Sequence, residues 1–355
     1  MRRSWAVPLA VALASCLSAA SPEPRYEVVD LGTLPWVSDD VAPHISATGE
    51  IAWWQPAPDR TIHAFAGTNR SQQDLGTLPG FASSIAVRVN PAGQFVGWSV
   101  SGKNLVDSRA TTHAFVLSRS QILDLGTLGG RDSKANDINA SGQVVGSSSL
   151  SDQSRHAFLY SAGKLVDLGT LPGGAFSAAY AINNSGLIAG AAETSTHLIH
   201  AVLWRNHQLT DLETLPGGMR SRALALNDNG DIVGYSEAEG AETHAFLYTN
   251  GRMQDLGSLG FDPVRANAIN NHGQIVGASG ISQFARHAFL WEAGTMRDLN
   301  KLVLPDGGWR LEDAYDITEQ GQILCLGVRS GALGDRHLLL LRPLPTVTAY
   351  TYSPR

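Results

Sequence analysis

The chain has 355 residues, of which 43% are hydrophobic and 16% charged, with a formal net charge of −6. The hydrophobic content is ordinary for a globular protein, and nothing resembles the basic face that neutralising nucleic-acid phosphates requires, so nucleic acid is not expected as a partner. Beyond the N-terminus no apolar run approaches the roughly 20 residues of a membrane-spanning helix.

In chain order, Arg2 and Arg3 precede a short apolar run from Trp5 to Leu13, the pattern of a targeting segment. Leu13-Ala14-Ser15-Cys16 resembles the lipobox of bacterial lipoproteins, which implies cleavage before Cys16 and a lipid on its sulfur. The other reading is plain secretion, with cleavage after Ser18-Ala19-Ala20. The expected layout is a lipoprotein-type signal peptide at 1–15, a linker at 16–24, one repeat domain at 25–345 and a tail at 346–355. The other cysteine, Cys325, reads as a buried unpaired thiol.

From Asp30 onward one phrase recurs. Asp-Leu elements begin at Asp30, Asp74, Asp124, Asp167, Asp211, Asp255 and Asp298, at steps of 44, 50, 43, 44, 44 and 43 residues. Such a period fixes the architecture before any single residue is interpreted. Each unit holds four strand-like pieces, for example Ala135 to Ile138, Gln143 to Gly146, His156 to Tyr160 and Leu165 to Leu171. They are short, rich in β-branched and aromatic residues, and bounded by turn formers. The turn Asn139-Ala140-Ser141-Gly142 and its copies predict a hairpin. The Asn side chain bonds the backbone two residues on, and the Gly supplies positive φ.

Four short strands cannot bury both faces of a sheet, so the copies must stack as a ring of blades or an open solenoid. The first unit begins with a lone fourth strand, Arg25 to Leu34, and the last unit ends without one. A ring in which the N-terminal strand completes the last sheet satisfies both ends and removes a pair of raw edges. The expected fold is therefore all-β: a seven-bladed β-propeller of four-stranded blades, closed by the N-terminal strand. The position three before the Ile of Ile-Asn is Ala in all seven units (Ala42, Ala86, Ala135, Ala179, Ala223, Ala266, Ala314), as the crowded innermost strand demands.

The triplets His63-Ala64-Phe65, His113-Ala114-Phe115, His156-Ala157-Phe158, His244-Ala245-Phe246 and His287-Ala288-Phe289, altered at His200-Ala201-Val202 and His337-Leu338-Leu339, are similar to the HAF-type repeats of extracellular bacterial proteins. The resemblance covers nearly the whole chain after the targeting segment. It implies export and a repeat architecture, and it brings no reaction and no catalytic residues.

Seven copies of one His and one Asp argue for structure, with the His held within its blade and the Asp as its partner or a turn cap. One His per blade on an outer strand does not converge on a metal, and no cofactor is expected. Asn227-Asp228-Asn229-Gly230-Asp231 fits the common hairpin turn better than a calcium loop, which needs more carboxylates. No Ser-His-Asp set, zinc motif or phosphate loop is present. Residues that break the repeat are better candidates. By strand order they gather on the rim formed by the longer links, where the central channel opens. The expected ligand-binding residues there are Trp36, Arg131, Lys134, Arg220, Arg222, Arg265, Trp309 and Arg310, a basic set suited to an anionic sugar or a carboxylate. Phe81, Phe176, Asp39 and Asp313 are expected nearby, with some arginines paired to Asp39, Asp262, Asp306 or Asp313. The function expected is that of a non-catalytic binding or scaffold module of the cell envelope, tethered through Cys16, with a protein or glycan as partner. The alternative is an envelope lyase or hydrolase at the channel mouth, which predicts unrepeated carboxylates or histidines converging there.

Overall fold

The computed structural model describes residues 26–34, 42–68, 71–103, 109–206, 208–280, 286–304, 308–329 and 335–345. Among them, seven antiparallel sheets of four strands form the ring of a seven-bladed β-propeller. Blades are numbered 1 to 7 in chain order of their innermost strands, which are His44–Ile45, Ser83–Val89, Ser133–Ile138, Ser177–Ile182, Ser221–Leu226, Val264–Ile269 and Trp309–Ile317. Within blade 3 the chain meanders outward through Val144–Ser149, Arg155–Ser161 and Lys164–Asp167. Blade 7 obtains its outermost strand from the other end of the chain. Tyr26–Thr33 runs antiparallel to Arg336–Pro343, with Tyr26 opposite Pro343 and Asp30 opposite Leu339. The closure expected from the leftover strand is the one observed.

Every regular blade is packed around one cross-strand row. In blade 3 the row is Ala135, Gly146, Phe158 and Asp167. A Cβ on Gly146 would lie 1.9 Å from the Lys134 carbonyl oxygen, so only glycine fits. Phe158 lies over it, fully buried. Blade 7 keeps the row with other side chains: Ala314, Cys325 and Leu339. A larger residue at the glycine position accompanies a smaller one at the phenylalanine position, which conserves volume. Burial pushes the Cys325 thiol well above its ordinary pKa.

The innermost strands of blades 2 to 7 carry a β-bulge just after the repeated alanine, between Ala135 and Asp137 in blade 3. A bulge places two residues opposite one and shifts the alternation of faces. Ala135 and Ile138, three apart, therefore share the core. Lys134, Asn136 and Asp137 all reach the central channel.

The short hairpins form one rim. There Asn139 Oδ1 accepts from the Ser141 and Gln143 N–H groups at 3.1 and 3.0 Å, as the turn chemistry predicts. Its Nδ2 does more: it donates to the Asn183 carbonyl of the next blade at 3.1 Å. The same link runs Asn90 to Asn139, Asn183 to Asn227, Asn227 to Asn270 and Asn270 to Thr318, at 3.0 to 3.1 Å. An amide relay thus joins blades 2 to 7. Towards the opposite rim, Ser133 Oγ accepts from the Ala114 N–H of blade 2 and donates to the Gly126 carbonyl, and Ser84, Ser177 and Ser221 repeat this clasp.

Candidate functional site

The channel opens on the rim of longer links in a cavity of about 340 Å³. Five basic side chains line it: Arg88, Lys134, Arg155, Arg222 and Arg265. Five aromatic ones join them: Trp98, Phe176, Tyr180, Tyr235 and Tyr315. Among the described residues none of those lining the cavity is an Asp or Glu. Lys134 lies over the Trp98 ring with its ammonium 4.9 Å from the centroid, and Arg155 Nη1 donates to Ser147 Oγ at 3.4 Å. Arg265 is balanced from behind by Asp313, at 3.5 Å, which also binds Arg286 and accepts from Asn267 Nδ2 at 2.7 Å. Burial, and then the Asp313 charge, hold the Tyr315 phenol far above its ordinary pKa, so it stays a neutral donor.

Below the mouth the bulge sets a second layer. Asp316, His44, Arg88 and Asp137 stand at one register position on four successive blades, 7, 1, 2 and 3, and alanines (Ala181, Ala225, Ala268) hold it on blades 4 to 6. His44 Nδ1 contacts Asp316, and Arg88 Nε lies 3.5 Å from Asp137. Asp137 also accepts from the Ile182 N–H at 2.7 Å. Burial raises the Asp137 carboxyl above the usual range, the Arg88 charge only partly opposing it. Burial acts on Asp316 in the same sense, but the His44 charge, its contact with the ring and Arg88 outweigh it, and the carboxyl is lowered.

The repeated His and Asp meet in every blade. His Nδ1 lies 2.6 to 2.9 Å from the Asp carboxylate, including His337 with Asp30 across the closure. The same Asp accepts a backbone N–H two residues on, at 2.7 to 2.9 Å. Partner and turn cap, offered as alternatives by the sequence, are both present. Three imidazoles also face a ring: His113 with Phe81, His287 with Phe261 and His337 with Trp309, at centroid distances of 5.2, 5.6 and 5.0 Å.

Of the residues expected at the site, Lys134, Arg222 and Arg265 come together in the mouth. Arg131 donates to the Ala110 carbonyl between blades. Arg220 is exposed on the rim, 3.8 Å from Glu237. Arg310 pairs with buried Glu312 at 2.6 Å, and Trp309 packs between His337 and Arg329. None of these four is among the residues that line the cavity. Trp36, Asp39, Asp306 and Cys16 lie outside the described residues. Arg88, Trp98, Arg155, Tyr180, Tyr235 and Tyr315 were not anticipated. The bulge brings Tyr180 and Tyr315 into the channel, and the signal available was that both directly follow the repeated alanine.

No family model matches the chain, and no curated protein matches it. Solved structures do resemble it. The β-propeller domain of the Trilobed protease from Pyrococcus furiosus, described as having an open velcro topology, superposes with a TM-score of 0.56 at 9% identity, over 90% of this chain and 98% of that one. The Pyrococcus horikoshii acylaminoacyl peptidase gives 0.52 at 11% identity, covering 86% of this chain and 52% of that one. A puromycin-hydrolyzing peptidase of Mycobacterium tuberculosis gives 0.50 at 12%, covering 87% and 53%. This chain thus spans about half the length of the two peptidases. At these identities the likeness is one of fold.

Proposed function

We propose that this protein is a non-catalytic binding module, exported through its N-terminal signal and held at the cell envelope through Cys16, which takes an anionic sugar or carboxylate-bearing glycan in the channel mouth. The reading keeps the likeness to the HAF-type repeats and the export that it implies. One observation carries it: five basic and five aromatic side chains converge on one cavity whose described lining holds no carboxylate. Arginine forks suit a carboxylate, and aromatic faces suit the apolar faces of a sugar ring. An envelope lyase or hydrolase is the alternative; it needs unrepeated carboxylates that reach the lining, whereas Asp313 and Asp137 stand behind Arg265 and Arg88 as their partners.

Calorimetric titration with uronic-acid oligosaccharides and their neutral counterparts tests the reading. Saturable binding of the acidic set alone is expected, weakened at least about tenfold by Arg222→Ala, since a hydrogen bond to a charged group contributes roughly 1.5–3 kcal/mol. Equal affinity for neutral sugars, or binding untouched by Arg222→Ala and Arg155→Ala together, would remove the site. Labelling with a palmitate analogue tests the anchor, which is rejected if the wild-type chain takes up no label.

A further inference from the structure

One repeat histidine has neighbours the others lack. His244, at the start of the third strand of blade 5, turns Nδ1 towards Asp255 at 2.6 Å, which leaves Nε2 as its other ring nitrogen. That nitrogen faces Glu242 Oε2 at 3.5 Å. Asp262, from the link between blades 5 and 6, completes the group, and one donor atom from each of the three lies within 4.8 Å of the other two. We propose that Glu242, His244 and Asp262 bind a first-row divalent cation such as Zn²⁺, with Asp255 as the positioning residue behind the imidazole.

Geometry and charge support this together. A tetrahedral ion with ligands at about 2.0–2.1 Å sets its donors about 3.3 Å apart, close to the separation already present between His244 and Glu242. Asp262 Oδ1 is sealed from solvent and has no hydrogen-bond partner among the described residues, a costly state for a carboxylate oxygen with no cation beside it. With a metal bound, Asp255 at Nδ1 would hold the tautomer that turns the Nε2 lone pair to the ion, the carboxylate–histidine arrangement typical behind a metal. A mixed nitrogen and oxygen donor set suits zinc or manganese better than calcium.

The backbone holds the ligands in place. Glu242 closes a compact turn in which its carbonyl accepts from the Ala238 N–H at 2.9 Å and the Ala238 carbonyl accepts from the Ala241 N–H at 3.1 Å. Asp262 is pinned on both sides: Ser279 Oγ donates to the Phe261 carbonyl at 2.6 Å, and the Gly280 N–H to the Pro263 carbonyl at 2.9 Å. Thr243 and Pro263, adjacent in sequence to these ligands, line a groove of about 260 Å³ that shares Tyr235 and Arg265 with the channel mouth.

The test is calorimetric titration of untagged, EDTA-treated protein with ZnCl₂, alongside thermal melts with and without zinc. One equivalent per chain and a raised Tm are expected. Asp262→Asn should abolish saturable uptake, and Asp255→Asn should weaken it about 10–100-fold. Asp167→Asn removes the same His–Asp contact in blade 3, where no such cluster stands among the described residues, and should leave zinc affinity unchanged. Absence of saturable uptake, uptake unaffected by Asp262→Asn, or equal weakening by Asp167→Asn overturns the assignment.

Discussion

Blades 3 and 7 are built to one plan and reach it by different routes. Blade 3 is continuous in sequence, whereas blade 7 borrows its outer strand from residues 26–33. Blade 3 packs Phe158 over Gly146, and blade 7 packs Leu339 over Cys325. In the channel, Asp137 of blade 3 answers Arg88, and Asp316 at the same register of blade 7 answers His44. The blade tolerates changes of residue as long as volume along the row and charge along the channel are matched.

The comparison can be broken most severely at the borrowed strand. A chain beginning after Thr33 strips blade 7 of one edge and leaves blade 3 intact. It is expected to lose cooperative unfolding altogether, as followed by circular dichroism melts, and an unchanged Tm would show that closure contributes nothing. Next in size, Phe158→Ala should cost about 3–5 kcal/mol and Leu339→Ala about 2–5 kcal/mol in urea denaturation. The volume argument is sharpened by a double change. Cys325→Gly alone should cost about 1–2 kcal/mol, through a cavity and added chain freedom. Cys325→Gly combined with Leu339→Phe rebuilds the row of blade 3 and should recover most of that loss, whereas simple additivity would reject the compensation.

The smallest effect concerns acid. Asp316 is lowered in the fold, so its contribution is present above the unfolded pKa of about 4 and lost as pH falls through the folded value. Asp137 is raised, so it opposes folding when ionised and this cost is relieved as pH falls through its folded pKa. Urea midpoints between pH 3 and 6 should therefore fall less steeply in Asp316→Asn than in the wild type, and more steeply in Asp137→Asn. The same slope in both variants would show that the two ends of the charged layer are equivalent.

The period, the four strands per unit and the unmatched terminal strand made the ring legible in sequence, because each repeats or fails to repeat at a countable place. The His156–Asp167 contact was legible for the same reason. The mouth was only partly so. Strict alternation puts Lys134 and Asn136 on one face but gives no cue that Asp137 joins them, since that takes the bulge after the repeated alanine. Tyr180 and Tyr315 went unseen because they lie within the innermost strands and not in the links where variable residues were sought. Arg131, Arg220 and Arg310 stand in the right links, but whether a long side chain turns inward or clasps its neighbour depends on partners such as Ala110 and Glu312, which the fold supplies. The inter-blade reach of Asn139 Nδ2 was hidden because its other atom fully explained the local turn.

The bulge has a last consequence, for how this scaffold can be rewritten. It hands the lumen a residue that takes no part in the register between the first two strands, while the alanine before it and the aliphatic residue two after it keep the interior filled. Val87, Asn136, Tyr180, Leu224, Asn267 and Tyr315 occupy those positions: two aliphatic side chains, two amides and two phenols. The lining can therefore diversify on a kept frame, and a chemist seeking new selectivity would begin at Tyr180 and Leu224 rather than at Asn136 and Asn267, whose amides donate to carbonyls of the next blade.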